Sequence, residues 1–233
     1  MHSGLHIFFS EDEELRDAAA RNGAEIVDIR KPPQRQLRMF SGAVKKLRVP
    51  RVVILGQDAA VGKRTACLRL GLELAKHLRP CMIGTGQTAW LQGFPYGVRL
   101  DSLPMDFSAG ELEGQLLIAA ERENPDLLLI EGQGALLNPG YGSETLTILH
   151  ACQPSAIVYV AAPTRKRYVD FPTFRLSDPH DEIRLIERIS EAPVVGVVLH
   201  GNLKSVGKFG VPTSVGVSGE MRQIAAAVEN VIR

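Results

Sequence analysis

A lysine that follows a glycine-rich turn is the strongest chemical signal in this sequence of 233 residues. Residues 56–65 read Gly-Gln-Asp-Ala-Ala-Val-Gly-Lys-Arg-Thr and follow an apolar, β-branched run at 51–56. Glycines let backbone N–H groups surround an anion, and a helix after them adds the positive end of its dipole. Lys63 adds a mobile positive charge for phosphate oxygens. The segment therefore predicts a phosphate-binding loop formed by Gly56, Asp58, Val61, Gly62, Lys63, Arg64 and Thr65.

The loop departs in two places from the common pattern G-x-x-x-x-G-K-[ST]. Five residues separate its glycines, and Arg64 stands where a hydroxyl residue normally holds Mg²⁺. Thr65 comes one place later, and on a helix that shift rotates a side chain by about 100°. The pattern thus predicts phosphate binding, but it predicts neither hydrolysis nor metal coordination by Thr65.

Two further polar loops follow apolar runs. Residues 84–93, Gly-Thr-Gly-Gln-Thr-Ala-Trp-Leu-Gln-Gly, offer hydroxyls and amides for a small polar ligand, with the sole tryptophan as a wall. Residues 131–134, Glu-Gly-Gln-Gly, place a carboxylate at the end of a buried strand. There it could act as a base or hold a metal-bound water, although a strand-terminal acid can also cap a neighbouring helix.

Three other polar residues have bland alternatives. Asp106 is a second candidate base and Glu113 lies nearby, yet either could be a solvated or capping residue. Arg165 could pair with a substrate carboxylate, although an exposed surface arginine is the default interpretation.

The elements that position these residues alternate between strand and helix. Apolar strands are predicted at 51–56, 81–85, 126–131, 156–161, 194–199 and 213–217. Helices are predicted at 63–78, from a capping box at Ser108 to about 121, at 144–152, after Pro179, and around 221–228. The pattern predicts an α/β, P-loop NTPase-like fold, with a mostly parallel sheet covered by helices on both faces. Ligands then lie at the carboxyl ends of the strands.

The chain is predicted to divide near residue 50. Residues 1–50 form a short strand–helix–strand fragment and a basic linker, with the strands expected at the apolar runs 5–9 and 24–29 and the helix at 11–21. Residues 51–233 form the P-loop domain. No acidic residue occurs between Asp28 and Asp58, whereas eight basic residues do. This stretch is either a solvated linker or a positive surface near an anionic ligand.

Composition excludes several classes. The 27 basic and 26 acidic residues leave a net charge of +1, which argues against a nucleic-acid partner. No apolar run approaches the roughly 18 residues that span a bilayer, and no signal peptide is recognisable. Three scattered cysteines indicate reduced thiols in the cytoplasm. The apolar N-terminal fragment leaves self-association into a homo-oligomer as an expectation.

Ordered motifs over residues 24–170 carry a family resemblance. They are Asp28-Ile-Arg-Lys-Pro-Pro33, the phosphate loop, 85–93, Asp106-Phe-x-x-Gly-x-x-Glu113, 131–134, Tyr141 to Leu146, His150, Gln153-Pro154 and Pro163-Thr-Arg165. Together they resemble the bacterial and archaeal P-loop family of formerly unknown function that includes D-glutamate N-acetyltransferase. Arg64 followed by Thr65 belongs to that family's pattern. A more distant resemblance is to dethiobiotin synthetase.

The resemblance implies acetyl-CoA as donor, with its phosphates in the P-loop, and a small amino acid as acceptor. It suggests Glu131, Asp106 and Lys63 as catalytic groups and a substrate site formed by Thr85, Gln87, Thr88, Trp90, Gln133, Ser143 and Arg165. Two features differ from the family. Only about 50 residues precede the P-loop where members carry a full Rossmann-like domain, and residues 138–143 differ in order. The acceptor therefore need not be D-glutamate.

Two alternatives stay open. An ATP-dependent ligase or kinase of the dethiobiotin synthetase type would use Asp58 and Glu131 to hold Mg²⁺. A non-catalytic nucleotide- or CoA-binding module would use the loop for binding alone.

Overall fold

A parallel sheet of seven strands forms the centre of the protein. The computed structural model describes residues 1–201, 209–216 and 220–232. The sheet order is β5-β4-β6-β3-β7-β8-β9, and every neighbouring pair is parallel. Its strands are β3 (Arg51–Gly56), β4 (Pro80–Gly84), β5 (Tyr96–Gly97), β6 (Leu127–Glu131), β7 (Ala156–Ala161), β8 (Val194–Leu199) and β9 (Thr213–Val215). A separate pair joins β1 (His2–Ser3) to β2 (Val27–Asp28).

Helices cover both faces of the sheet. The described α-helices are α1 (Glu13–Arg21), α2 (Lys63–Leu74), α3 (Gln87–Leu91), α4 (Met105–Glu123), α5 (Gly142–Cys152), α6 (Pro179–Ser190) and α7 (Arg222–Ile232). Of these, α1 has no buried residue and takes no part in covering the sheet. Successive strand residues point to opposite faces, so Val53 and Leu55 pack with α4, α5 and α6. Val52 and Ile54 pack with α2 and α7 instead. The predicted α/β class is confirmed, and none of the described helices is long and apolar enough to span a membrane.

Most predicted strands and helices are present, with shifts of a few residues. The helix predicted at 63–78 ends at Leu74, and the last strand ends at Val215, with Val217 outside the described residues. The N-terminal prediction is wrong in detail. Residues 5–9, expected as a strand, lie outside any strand, and His2–Ser3 pairs with Val27–Asp28 instead. Most of residues 5–9 are at least partly exposed, so their apolar pattern does not mark a core strand.

The capping box predicted at Ser108 is also wrong. Helix α4 begins at Met105, and the Ser108 hydroxyl, one turn inside, donates to the Pro104 carbonyl at 3.1 Å. Glu111 is buried and accepts hydrogen bonds from the Arg35 guanidinium and the Arg38 amide, the latter at 2.7 Å.

The same helix holds the basic stretch in place. Buried Glu113 accepts from the amides of Ser41 and Val44, at 2.8 and 3.0 Å. A Cβ on Gly110 would lie 2.3 Å from the Arg38 carbonyl oxygen, so only glycine permits this close approach. Residues 35–44 therefore run along α4, and the solvated-linker interpretation does not fit them.

Candidate functional site

The phosphate loop lies at the carboxyl edge of the sheet, between β3 and α2. Gly62 caps α2 with a φ of 96°, in the left-handed region that favours glycine. The loop forms one wall of a pocket of about 400 Å³. The other walls come from the ends of β4 and β6 and from Arg30 and Asp101. The lining residues of this P-loop pocket are Arg30, 59–65, 85–88, Asp101 and 131–134.

Lys63 is the buried cation of this pocket. Its Nζ donates to the carbonyl oxygens of Asp58 and Gly134, each at 2.7 Å. Burial lowers the pKa of Lys63 to about 8, against the attraction of Asp58 and Glu131. The ammonium is thus held between the ends of two strands, where a phosphate in the loop could reach it.

Asp58 and Arg165 stabilise the phosphate loop through hydrogen bonds to its backbone. The Asp58 carboxylate is fully buried and accepts from the Ala59 amide at 2.7 Å and the Val169 amide at 3.0 Å. Arg165 donates to Asp58 at 3.0 Å and to the carbonyls of Ala59 and Ala60. Both Asp58 oxygens are therefore used by protein donors, which does not suit the role of a Mg²⁺ ligand. Arg165 lies outside the P-loop pocket, away from where a substrate carboxylate was expected.

Glu131 is the carboxylate at the end of β6, and it lines the P-loop pocket. It is 6% exposed and accepts from the Thr85 amide at 3.3 Å, while the Arg64 guanidinium lies 3.8 Å away. Burial raises the pKa of Glu131, and the Thr85 hydrogen bond, Arg64 and Lys63 oppose that rise. A carboxylate with a raised pKa in a pocket is suited to accept a proton from a reacting group.

Opposite the loop, an ion pair lines the same pocket. Arg30 contacts Asp101 at 2.6 Å, and the second Asp101 oxygen, Oδ1, is buried with no hydrogen-bond donor among the described residues. The Gln133 Oε1 is likewise buried without a donor. Sequence reasoning missed Arg30 and Asp101 as pocket residues. The motif at 28–33 was a signal for Arg30, but nothing in the sequence pointed to Asp101.

Glu144 was also missed, since it was read only as part of a helix. Burial, followed by the nearby charge of Asp101, raises the pKa of Glu144 to about 7. A hydrogen bond from the Gln133 side chain and the charge of Lys63 favour its ionised form. Glu144 does not line the P-loop pocket itself, but it interacts with Gln133 and Lys63, which do.

A second pocket, of about 210 Å³, adjoins the first at Gly86 and is called the Trp90 pocket here. Trp90, predicted as a wall of the site for a small polar substrate, lines this pocket and not the P-loop pocket, and it is 45% exposed. The lining residues are Gly84, Gly86, Trp90, 94–99 and Gln115. They include Arg99, which the sequence analysis did not single out.

The structure gathers some predicted residues and separates others. Thr85, Gln87, Thr88 and Gln133 line the P-loop pocket with Lys63, Arg64, Thr65 and Glu131. Gly56 is buried at the strand end beneath the loop. Asp106, in the first turn of α4, and Ser143, at the start of α5, are exposed and line neither pocket.

A parallel α/β sheet whose Gly-Lys loop opens a helix defines the class of P-loop proteins. Within that class, the chain belongs to the DUF1611 family. Residues 38–208 match the family model described as a domain of unknown function (DUF1611_C), P-loop domain. Residues 1–32 match the DUF1611_N Rossmann-like domain. The family resemblance seen in the sequence motifs is therefore confirmed.

Known relatives agree with this assignment. A protein from Tritonibacter scottomollicae named D-glutamate N-acetyltransferase is 31% identical over 74% of this chain and 50% of its own length. One of the same name from a Pseudoalteromonas species is 29% identical over 70% and 47%. A crystal structure of a DUF1611 family protein from Anabaena variabilis, 29% identical, gives a TM-score of 0.86 over 98% of this chain and 71% of that one. The chain thus spans about half the length of these curated relatives.

Proposed function

We propose that the protein is an N-acetyltransferase that moves an acetyl group from acetyl-CoA to the amine of a small amino acid resembling D-glutamate. One observation carries the proposal: a buried carboxylate, Glu131, faces the same pocket as the cationic loop residues Lys63 and Arg64. Acyl transfer from CoA needs a site that binds the phosphates of the donor and a base for the acceptor amine. The names of the curated relatives support the same chemistry.

On the donor side, the N–H groups of the loop and the charges of Lys63 and Arg64 bind CoA phosphates. Arg64 replaces the usual hydroxyl residue, so it adds a charged donor at the start of α2 rather than a metal ligand. Thr65 also lines this pocket and offers a hydroxyl. The donor site in this proposal needs no metal ion.

On the acceptor side, the amine must lose a proton to attack the thioester carbonyl carbon. Glu131 accepts that proton as the new N–C bond forms, the C–S bond then breaks, and CoA leaves as a thiolate that takes up a proton. Asp101 Oδ1 and Gln133 Oε1 lack donors in the described structure. A primary amine supplies such donors, which supports its binding along this wall.

The ATP-dependent alternative is weaker on the geometry. It would use Asp58 and Glu131 to hold Mg²⁺, yet both Asp58 oxygens already accept from protein donors. Among the described residues, no three His, Cys, Asp or Glu side chains cluster as a metal site would need. We also propose a cytoplasmic location, since Cys67, Cys81 and Cys152 are all unpaired.

Thermal unfolding with acetyl-CoA, ATP or GTP, each with and without Mg²⁺, tests the proposal. A ligand raises the melting temperature only if it binds the native state. At a concentration of a hundred times Kd, it adds about 2.7 kcal/mol to the free energy of unfolding. We expect acetyl-CoA to stabilise the protein without Mg²⁺. When D-glutamate is added, we expect the protein to release CoA thiol from acetyl-CoA. Stabilisation by ATP that requires Mg²⁺, with ATP-dependent turnover, would overturn the proposal. Binding of acetyl-CoA without transfer to any amino acid would indicate a binding module.

A further inference from the structure

Arg99 is a partly buried cation that forms no ion pair with any residue the structure describes. It follows β5, at the carboxyl edge of the sheet, and lines both the Trp90 pocket and a smaller cavity beside it. Its guanidinium makes no hydrogen bond or ion pair with any described residue. Burial lowers the pKa of Arg99, and the charge of nearby Asp101 opposes that fall. A desolvated guanidinium without a direct hydrogen-bonding partner costs free energy, which a bound anion would offset.

Two carboxylates near Arg99, those of Asp101 and Glu111, each contact other arginines. Asp101 is paired with Arg30, and Glu111 with Arg35 and Arg38. Four arginines therefore surround two carboxylates along this edge, which leaves a local excess of positive charge. The acid-free basic stretch contributes three of the four, so its interpretation as a positive surface near an anionic ligand gains a structural basis.

The Trp90 pocket also has the shape and chemistry for a short acid. Trp90, Phe94 and Tyr96 offer apolar surface, and the side-chain amide of Gln115 lies at the pocket wall. Gly86 lines this pocket and the P-loop pocket alike. The two pockets therefore adjoin at a residue that has no side chain.

We propose that Arg99 binds a carboxylate group of the acceptor amino acid in the Trp90 pocket, in place of Arg165. The proposal rests on the proposed acetyl transfer. A guanidinium presents two parallel N–H groups that match the two oxygens of a carboxylate. The amine of the same molecule then points into the P-loop pocket, and the aliphatic chain lies against Phe94. A phosphate of the donor nucleotide shares this anionic chemistry and is the competing source.

Arg99→Met and Arg99→Lys test the proposal by steady-state kinetics with D-glutamate and acetyl-CoA. We expect Arg99→Met to raise KM for D-glutamate by about 10–100-fold, the range of a hydrogen-bonded charge, and to leave KM for acetyl-CoA within about twofold. Arg99→Lys keeps the charge but loses the paired geometry, so its KM falls between those of Arg99→Met and the wild type. Arg188→Met, on the exposed side of α6, is the matched control and changes neither KM.

Two comparisons separate the possible failures. If Arg99→Met raises KM for acetyl-CoA and the effect disappears with acetyl-dephospho-CoA, the anion is the nucleotide 3′-phosphate and the carboxylate assignment is overturned. Unchanged KM for both substrates also overturns it. If the wild type transfers no acetyl group, the proposed function fails, but calorimetric binding of D-glutamate that Arg99→Met abolishes would still support the anion site. Should Arg99→Met not fold, as judged by circular dichroism, the same comparisons are made with Arg99→Lys.

Discussion

At the scale of single residues, Lys63 makes the donor site sensitive to pH. Burial lowers the pKa of this lysine to about 8, so it is cationic below that pH and neutral above it. Phosphates attract only the cation. We expect Kd for acetyl-CoA to be flat below pH 8 and to rise by about tenfold per pH unit above it, as measured by calorimetry.

Lys63→Arg supplies the control for this prediction. A guanidinium stays protonated throughout the range, so Kd of the variant should not depend on pH up to about 9.5, even if binding is weaker overall. A wild-type Kd that is constant from pH 7 to 9.5 would show that Lys63 is not the titrating group.

Glu131 is the residue on which turnover depends. Glu131→Gln keeps the shape and the acceptor for the Thr85 amide but removes the base. We expect kcat to fall by about 10²–10⁴-fold, while Kd for acetyl-CoA stays within a few-fold, in a thiol-release assay paired with calorimetry. Asp106→Asn is the companion exchange. Retained turnover in Glu131→Gln together with loss in Asp106→Asn would move the base to Asp106.

At the scale of elements, helix α4 is a clamp for residues 35–44. Gly110 lets the chain pass close to the helix, so Gly110→Ala must displace backbone at Arg38 to Phe40. We expect this exchange to lower the free energy of unfolding by about 1–3 kcal/mol in denaturant titration. Because Arg35 and Arg38 would shift with the chain, weaker D-glutamate binding should accompany the loss.

The exchange Gly71→Ala in α2 is matched to this prediction. A Cβ there would lie 3.1 Å from the flexible Met82 side chain and in ordinary contact with Leu129 Cδ2 at 3.4 Å. The exchange gains up to about 1 kcal/mol of helix propensity. It should therefore be close to neutral. Equal effects of the two exchanges would mean that α4 and residues 35–44 are not coupled as the packing indicates.

At the scale of the whole molecule, charge is local. The net charge is only +1, but Lys63, Arg64 and the four arginines near the Trp90 pocket lie along one edge of the sheet. Dissolved salt screens the attraction between such a positive edge and an anionic ligand, even when the net charge of the protein is near zero. We expect KM for acetyl-CoA to rise several-fold between 50 and 500 mM NaCl.

A donor without phosphates checks this prediction. S-acetyl-pantetheine carries no nucleotide charge, so its KM should not depend on salt under the same conditions. A salt effect of equal size on both donors would point to the protein fold rather than to electrostatic attraction at the pocket.

Much of this molecule was determined by local sequence. The runs at 51–56, 156–161 and 194–199 are strands because β-branched residues bury both faces, and Asp178-Pro179 begins α6 with a side-chain cap. The loop at 56–65 was recognisable because a phosphate loop needs glycine and lysine at set spacing. These signals depend only on residues that are neighbours along the chain, so they can be recognised in the sequence. The wrong capping box at Ser108 shows their limit, since tertiary packing of Glu111 overrode it.

Tertiary structure alone decided which polar side chains share a pocket. Arg30 and Asp101 stand 71 positions apart, and only the docking of the N-terminal fragment joins them opposite the P-loop. Asp58 and Arg165 were predicted from the sequence to bind ligands. In the folded protein they form an ion pair with each other. Arg99 had no motif at all. Its significance is that no described residue forms an ion pair with its guanidinium. Such a property depends on the folded surroundings, and no local pattern encodes it.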